Sequence, residues 1–240
     1  MSTKLVSGVL LGAMLAAGAD IRGNIVIDRK LTRHNVTAAA GIYERGTPVE
    51  LKADTDQDPI AFERAHVAVY IEGPSGSTSP KTLSEAGGVK AAIEQKDRRF
   101  VPDLVVIPAG ATVSFPNFDP IFHNVFSLSN AKSFDLGNYP QGQTRLVSFP
   151  TPGAVAVYCH LHPNMAATIL VTPNSWAARV DPSGAFTLND VPPGSYTVVA
   201  WHKAVGTVRK TINVGEGANT EITFTLPYVD SRETKHVAQR

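Results

Sequence analysis

One stretch of seven residues constrains this chain more than any other. Cys159-His160-Leu161-His162-Pro163-Asn164-Met165 holds its only cysteine, two of its seven histidines and one of its three methionines. Thiolate, imidazole and thioether donors supplied from one short loop suit a soft, redox-active metal. A second imidazole from a distant strand completes a trigonal His2Cys set with a weak axial Met, the ligand chemistry of a mononuclear copper centre. His123 is the candidate for that imidazole. Copper that changes oxidation state without rearranging its ligands needs a rigid frame, and a β-sandwich supplies one.

The lone cysteine carries a second message once the compartment is considered. Residues 1–19 read as a secretory signal: Lys4 supplies the positive start, Leu5 to Ala17 the apolar stretch, and Ala17-Gly18-Ala19 a small-residue cleavage site before Asp20. The expected location is the periplasm or the exterior, with no membrane-spanning segment once the signal is cleaved. In an oxidising compartment a free thiol is a liability unless buried or coordinated. Metal ligation accounts for it; burial as a small apolar side chain is the alternative. Lys and Arg total 22 and Asp and Glu 21; Lys4 is the only charged residue before Asp20, so removal of the signal leaves 21 of each. With no basic cluster, nucleic acid is not an expected partner.

The remaining chain is rich in β-branched residues, Gly and Pro, and its short apolar alternations break every eight to twelve residues or so, which predicts an all-β sandwich class. Predicted strands run 23–27, 66–72, 89–94, 104–108, 112–116, 144–149, 153–159 and 167–172, then 178–180, 185–188, 194–202, 208–214 and 221–226. No long amphipathic helix is visible. Gly73 to Gly88 (GPSGSTSPKTLSEAGG) reads as a linker with at most one helical turn at 83–86, and a second break falls at Thr172-Pro173-Asn174-Ser175. The stretch between them is long enough for a small sandwich, whereas the strands after 176 are few for one. Strands 23–27 and 66–72 are plausible partners for them.

Residues 89–172 resemble a small cupredoxin of the plastocyanin and amicyanin type. The likeness rests on Phe100, Pro102, Leu104, Val106, Gly110, Val113, Phe115 and Asn117, on Asp119 and His123-Asn124-Val125, and on the C-x2-H-x2-M loop with Pro163 directly after His162. The flanks resemble the carboxypeptidase-regulatory-like, or transthyretin-like, sandwich through Gly23 to Val26, Ala65 to Tyr70, Asp181 to Leu188 and Pro192 to Tyr196. Together they imply a signal at 1–19, a discontinuous sandwich of 20–85 and 174–227, a cupredoxin of 86–173 inserted in it, and a polar tail at 228–240. A simple tandem order is the alternative.

The resemblance implies one copper ion per chain held by His123, Cys159, His162 and Met165. It implies that Asn124 ties the two ligand loops together and brings its amide near the sulfur, and that His162 lies nearest solvent among apolar residues such as Ile121, Phe122, Leu161 and Pro163. Leu161 stands where plastocyanin and amicyanin have proline, so its backbone N–H is expected to be a second donor to the Cys159 thiolate, raising the potential. His160 should face away from the metal, since neighbouring residues in a strand point to opposite sides. Asp119 reads as turn chemistry, and His66 and His202 as structural hydrogen-bonding residues. The implied function is single-electron transfer with a protein partner such as a cytochrome or a dehydrogenase, without enzyme activity. The alternatives are copper binding or trafficking without electron transfer, and a structural β-module. A Cys-His nucleophile leaves the Met and second His unexplained, zinc accepts thioethers poorly, and a dinuclear copper site lacks its second cysteine.

Overall fold

The computed structural model describes residues 18–32, 58–74 and 90–227. Most of the expected signal, the turn at 83–86, the tail at 228–240, His34 and His236 lie outside the described residues. In chain order the elements are β1 (Ala19–Ile27), α1 (Pro59–Ala65) and β2 (Val67–Pro74), then β3 (Lys90–Ala92), β4 (Glu94–Lys96), β5 (Arg99–Val101), β6 (Leu104–Pro108), β7 (Ala111–Pro116), β8 (His123–Ser129), β9 (Lys132–Tyr139), β10 (Thr144–Phe149), β11 (Gly153–Tyr158) and β12 (Ala166–Thr172). Five strands follow: β13 (Ala177–Arg179), β14 (Ala185–Val191), β15 (Gly194–His202), β16 (Gly206–Val214) and β17 (Thr220–Leu226). Strands β5, β8 and β9 and helix α1 fall outside the predicted series. The helix is a single short piece, started by Asp58 accepting the Ile60 amide with Pro59 in its first turn.

Strands β3 to β12 form one sandwich. Its sheets run β10-β7-β3 and β6-β12-β11-β8-β9, and their inward positions, among them Val113, Phe115, Val125, Tyr139, Val155, Val157 and Ile169, make one closed core. The other strands form a second sandwich from sheets β14-β1-β17 and β13-β2-β15-β16, packed around Ile21, Ile25, Ile71, Val198 and Phe224. Strands β1 and β2 are thus hydrogen-bonded to strands that follow β12: β1 pairs parallel with β17 and antiparallel with β14, and β2 lies between β13 and β15.

Strand β12 is buried along nearly its whole length, as a strand covered on both faces must be. Ala167, Ile169 and Val171 enter the first core. Leu170 on the opposite face packs with Leu104 against Ala68 and Trp201 of the second sandwich. At one edge of this contact His66, the residue that closes α1, reaches across: Nδ1 donates to the Phe62 carbonyl at 2.7 Å and Nε2 faces both Asp103 oxygens at 3.0 and 2.9 Å. Both ring nitrogens face acceptors, the arrangement of a protonated imidazole. Burial alone would lower its pKa, but the Asp103 bond and the Phe62 carbonyl raise it above the ordinary histidine value; the same bond holds Asp103 below its ordinary value.

Those directions fix a pH signature. A raised histidine contributes stability that is complete below its unfolded pKa and is lost as pH rises through the folded one; a depressed aspartate contributes stability that is lost as pH falls through its folded value. The pair therefore stabilises fully between roughly pH 4 and 6.5, the ordinary values of the two groups. The melting temperature of His66→Gln should fall below that of the wild type in this window and converge on it as pH rises further. A gap that stays constant from pH 5 to 9 would show an uncharged contact.

Candidate metal centre

His123 opens β8, Cys159 follows the last residue of β11, and His162 and Met165 come from the turn that leads into β12. The turn closes through the Met165 amide, which donates to the His162 carbonyl at 3.0 Å. His123, Cys159 and Met165 are buried, and Cys159 and Met165 belong to the core of the first sandwich. The two Nδ1 atoms of His123 and His162 lie 3.1 Å apart, and the Cys159 Sγ lies 3.9 and 3.7 Å from them. These three residues are the one group of candidate ligands among the described residues whose ligating atoms lie within 4.8 Å of one another.

The orientation of His123 is dictated by its other nitrogen. Nε2 lies 2.7 Å from the Asp119 Oδ2, and that carboxylate already accepts the amides of Asp97 (2.7 Å) and Arg98 (2.9 Å). Burial alone would raise the Asp119 pKa, but the Arg98, His123 and Asp97 bonds bring it below the ordinary value. An ionised carboxylate only accepts, so Nε2 carries the proton and Nδ1 presents its lone pair to the cluster. His162 is shifted down by burial, by His123 and by Arg98, which favours a neutral ring. Two imidazole Nδ1 atoms and a sulfur converging on one point fit a cation. Metal–nitrogen and metal–sulfur bonds of about 2.0–2.3 Å at trigonal angles require ligand atoms roughly 3.5 Å apart, close to the triangle present.

Asp119 therefore does more than shape its own turn. Asp97 and Arg98 form the two-residue turn between β4 and β5 and take φ of 55° and 56°, a left-handed conformation that suits Asn-Gly better than these side chains. The Asp119 carboxylate holds both of their amides and His123 at once. Its own position is set by Asn117, whose Oδ1 accepts the Asp119 amide and whose Nδ2 donates to the Ile121 and Tyr139 carbonyls. The spacing of four residues between Asp119 and His123 was the available sequence signal.

The sulfur accepts the Asn124 amide at 3.4 Å. The expected second donor is not there: among the described residues the Leu161 amide makes no hydrogen bond to Cys159. The chain bends at His160 and Leu161, and the sulfur faces the two imidazoles. The Asn124 side chain does not bond the cysteine loop directly either; its Nδ2 donates to Asp135 on β9 at 2.6 Å. His160 turns outward and stacks on Phe126, with ring planes 5° apart. Phe122, next to His123, and Leu161, next to His162, are 56 and 46 % exposed, so Phe122 is a surface residue rather than core.

The fold class is all-β, with two β-sandwiches among the described residues. A family model of the carboxypeptidase regulatory-like domain matches residues 162–227, from the metal loop to the end of β17. Among solved structures the chain is similar to a Cu-containing nitrite reductase (NirK) from Thermus scotoductus SA-01, with 21% identity, TM-score 0.34 and coverage of 42% of this chain and 25% of that one. It is similar to amicyanin from Paracoccus versutus (20%, 0.33, 43% and 96%) and to a purple cupredoxin from Nitrosopumilus maritimus (26%, 0.31, 34% and 99%). The chain thus spans a quarter of the nitrite reductase but nearly all of the two small cupredoxins. No curated protein matches it.

Proposed function

We propose that this chain binds a single copper ion through His123, Cys159 and His162, with Met165 as the weak axial ligand, and carries single electrons between redox proteins. The observation that carries the reading is the convergence of two imidazole Nδ1 atoms and one sulfur within 4.8 Å. Copper supplies the one-electron couple when bound. The residues of the chain do the rest: Asp119 fixes the tautomer and direction of His123, the Asn124 amide stabilises the thiolate, and the sandwich core holds Cys159 and Met165 away from water. The exposed Phe122 and Leu161, adjacent in sequence to His123 and His162, suit a small apolar contact with a transient protein partner, such as a cytochrome or a dehydrogenase. We propose further that the copper domain is inserted between β2 and β13 of the flanking sandwich and that the protein is exported; no described helix is long and apolar enough to cross a membrane.

The test is addition of Cu(II) to purified protein lacking residues 1–19. An intense thiolate-to-copper band should develop at one copper per chain, with reversible one-electron redox, and Cys159→Ser should abolish the band. Absence of the band in the parent protein would overturn the copper reading. A band without reversible electron exchange would favour copper trafficking over electron transfer.

A further inference from the structure

The residues that follow the first two ligands, Asn124 after His123 and His160 after Cys159, converge on one carboxylate. The register of β8 and β9 runs Asn124↔Asn138 and then Phe126↔Asp135, so Leu136 and Gly137 together oppose the single residue Val125. This is a β-bulge, and Gly137 takes φ +66° in it, the left-handed conformation that only glycine adopts freely. The Gly137 amide donates to Asp135 Oδ1 at 2.9 Å, which fixes the carboxylate. The same oxygen accepts Nδ2 of the buried Asn124 at 2.6 Å, and the Asn124 backbone amide is the donor to the sulfur.

On its other side Asp135 Oδ2 faces the His160 Nε2 at 3.7 Å. That ion pair is long and more than half exposed, so it adds little by itself. His160 is held chiefly by its ring, which lies on Phe126 with centroids 3.7 Å apart. Phe126 stands beside Asp135 in the β8–β9 ladder and opposite Tyr158 in the β11–β8 ladder. Asp135, Phe126 and Tyr158 form one row across three strands, and that row ends one residue before Cys159.

We propose that Asp135 and its bulge form a clamp that sets the spacing between the His123 and Cys159 segments, with Asp135 as a positioning residue. Nδ2 of Asn124 must face the carboxylate, which fixes the amide and leaves its Oδ1 as a buried atom without a partner. With the carboxylate gone, Asn124 is free to turn, and the amide–sulfur contact next to it loosens. The consequence for copper rests on the function proposed above; the consequence for the thiol does not.

Two measurements on Asp135→Ala, Asp135→Asn and Gly137→Val test the clamp. In the copper-free protein Cys159 is buried, so its reaction with an aromatic disulfide reports local opening. Asp135→Ala should react about tenfold faster than wild type. Asp135→Asn, whose Oδ1 still accepts both donors, should restore most of the protection, and Gly137→Val, which keeps the carboxylate but strains the bulge, should behave like Asp135→Ala. With copper bound, Asp135→Ala should hold Cu(II) about 10–100-fold less tightly. Each tenfold loss confined to Cu(II) raises the potential by about 59 mV. Wild-type thiol reactivity and potential in Asp135→Ala, even at a lower melting temperature, would overturn the clamp, as would an Asn variant as defective as the Ala one. If the parent protein forms no thiolate–copper band, the copper reading fails by itself and the thiol arm still decides the clamp.

Discussion

Asp119→Asn is expected to weaken copper binding by about 10–100-fold, the loss typical when a partner that orients a ligand histidine is removed. Three donors point at the Asp119 carboxylate: the amides of Asp97 and Arg98 and the Nε2–H of His123. A carboxamide has only one acceptor atom, so its NH2 must face at least one of them. If it faces His123, the ring loses the interaction that fixes its tautomer and directs its Nδ1 at the cluster. If it faces Asp97 or Arg98, the left-handed turn loses an amide bond that offsets its strain. Loss of the negative charge beside a ligand also disfavours Cu(II) more than Cu(I), so the potential should rise, by about 59 mV for each tenfold change confined to Cu(II). Chelator competition and voltammetry on the two proteins measure both effects. Copper affinity within twofold of wild type would show that Asp119 serves its turn alone.

This effect could not be read from the chain because the partners of Asp119 lie more than twenty residues upstream, and only the docking of the β4–β5 turn brings them to it. The ligand loop was legible for the opposite reason: its donors are contiguous in sequence and rare in composition. Most strands announced themselves through apolar alternation. Strand β9 (KSFDLGNY) did not, because it is an edge strand, largely exposed and interrupted by the bulge at Leu136–Gly137. Helix α1 spans too few residues for a 3.6-residue period to emerge, although Asp58-Pro59 is a start signal. Leu161 shows a further limit of spacing. The absence of proline does leave an N–H, but the bend of the loop decides whether it reaches the sulfur, and spacing alone does not encode that bend.

The largest loss of stability is expected in the second sandwich, from Glu63→Gln. Glu63 is fully buried, and its carboxylate accepts the Leu31 and Thr32 amides at 3.1 and 2.8 Å and the Thr32 hydroxyl at 2.5 Å. It also faces the His202 Nε2 at 3.1 Å. Nδ1 of His202 accepts the Ala204 amide, so Nε2 carries the proton and donates to Glu63. Burial by itself would raise the Glu63 pKa, but the Thr32 bonds, His202 and the Leu31 amide bring it below its ordinary value, whereas burial outweighs Glu63 and lowers that of His202. A carboxamide again turns N–H toward N–H, here in a fully buried position. Removing one member of such a buried set costs about 3–5 kcal/mol, which for a chain of this size lowers the melting temperature by roughly 6–20 °C. The sign with pH follows from both directions. Glu63 contributes stability that is lost as pH falls through its depressed pKa, and a histidine kept neutral in the fold makes the unfolded chain bind the extra proton below about pH 6.5. Stability of the wild type should therefore fall on acidification, and the Glu63→Gln profile should lie lower and be flatter at the acid end. Denaturant unfolding between pH 4 and 8 measures both the offset and the slope. An offset below about 1 kcal/mol across that range would mean that the carboxylate's four donors find other acceptors when it is gone.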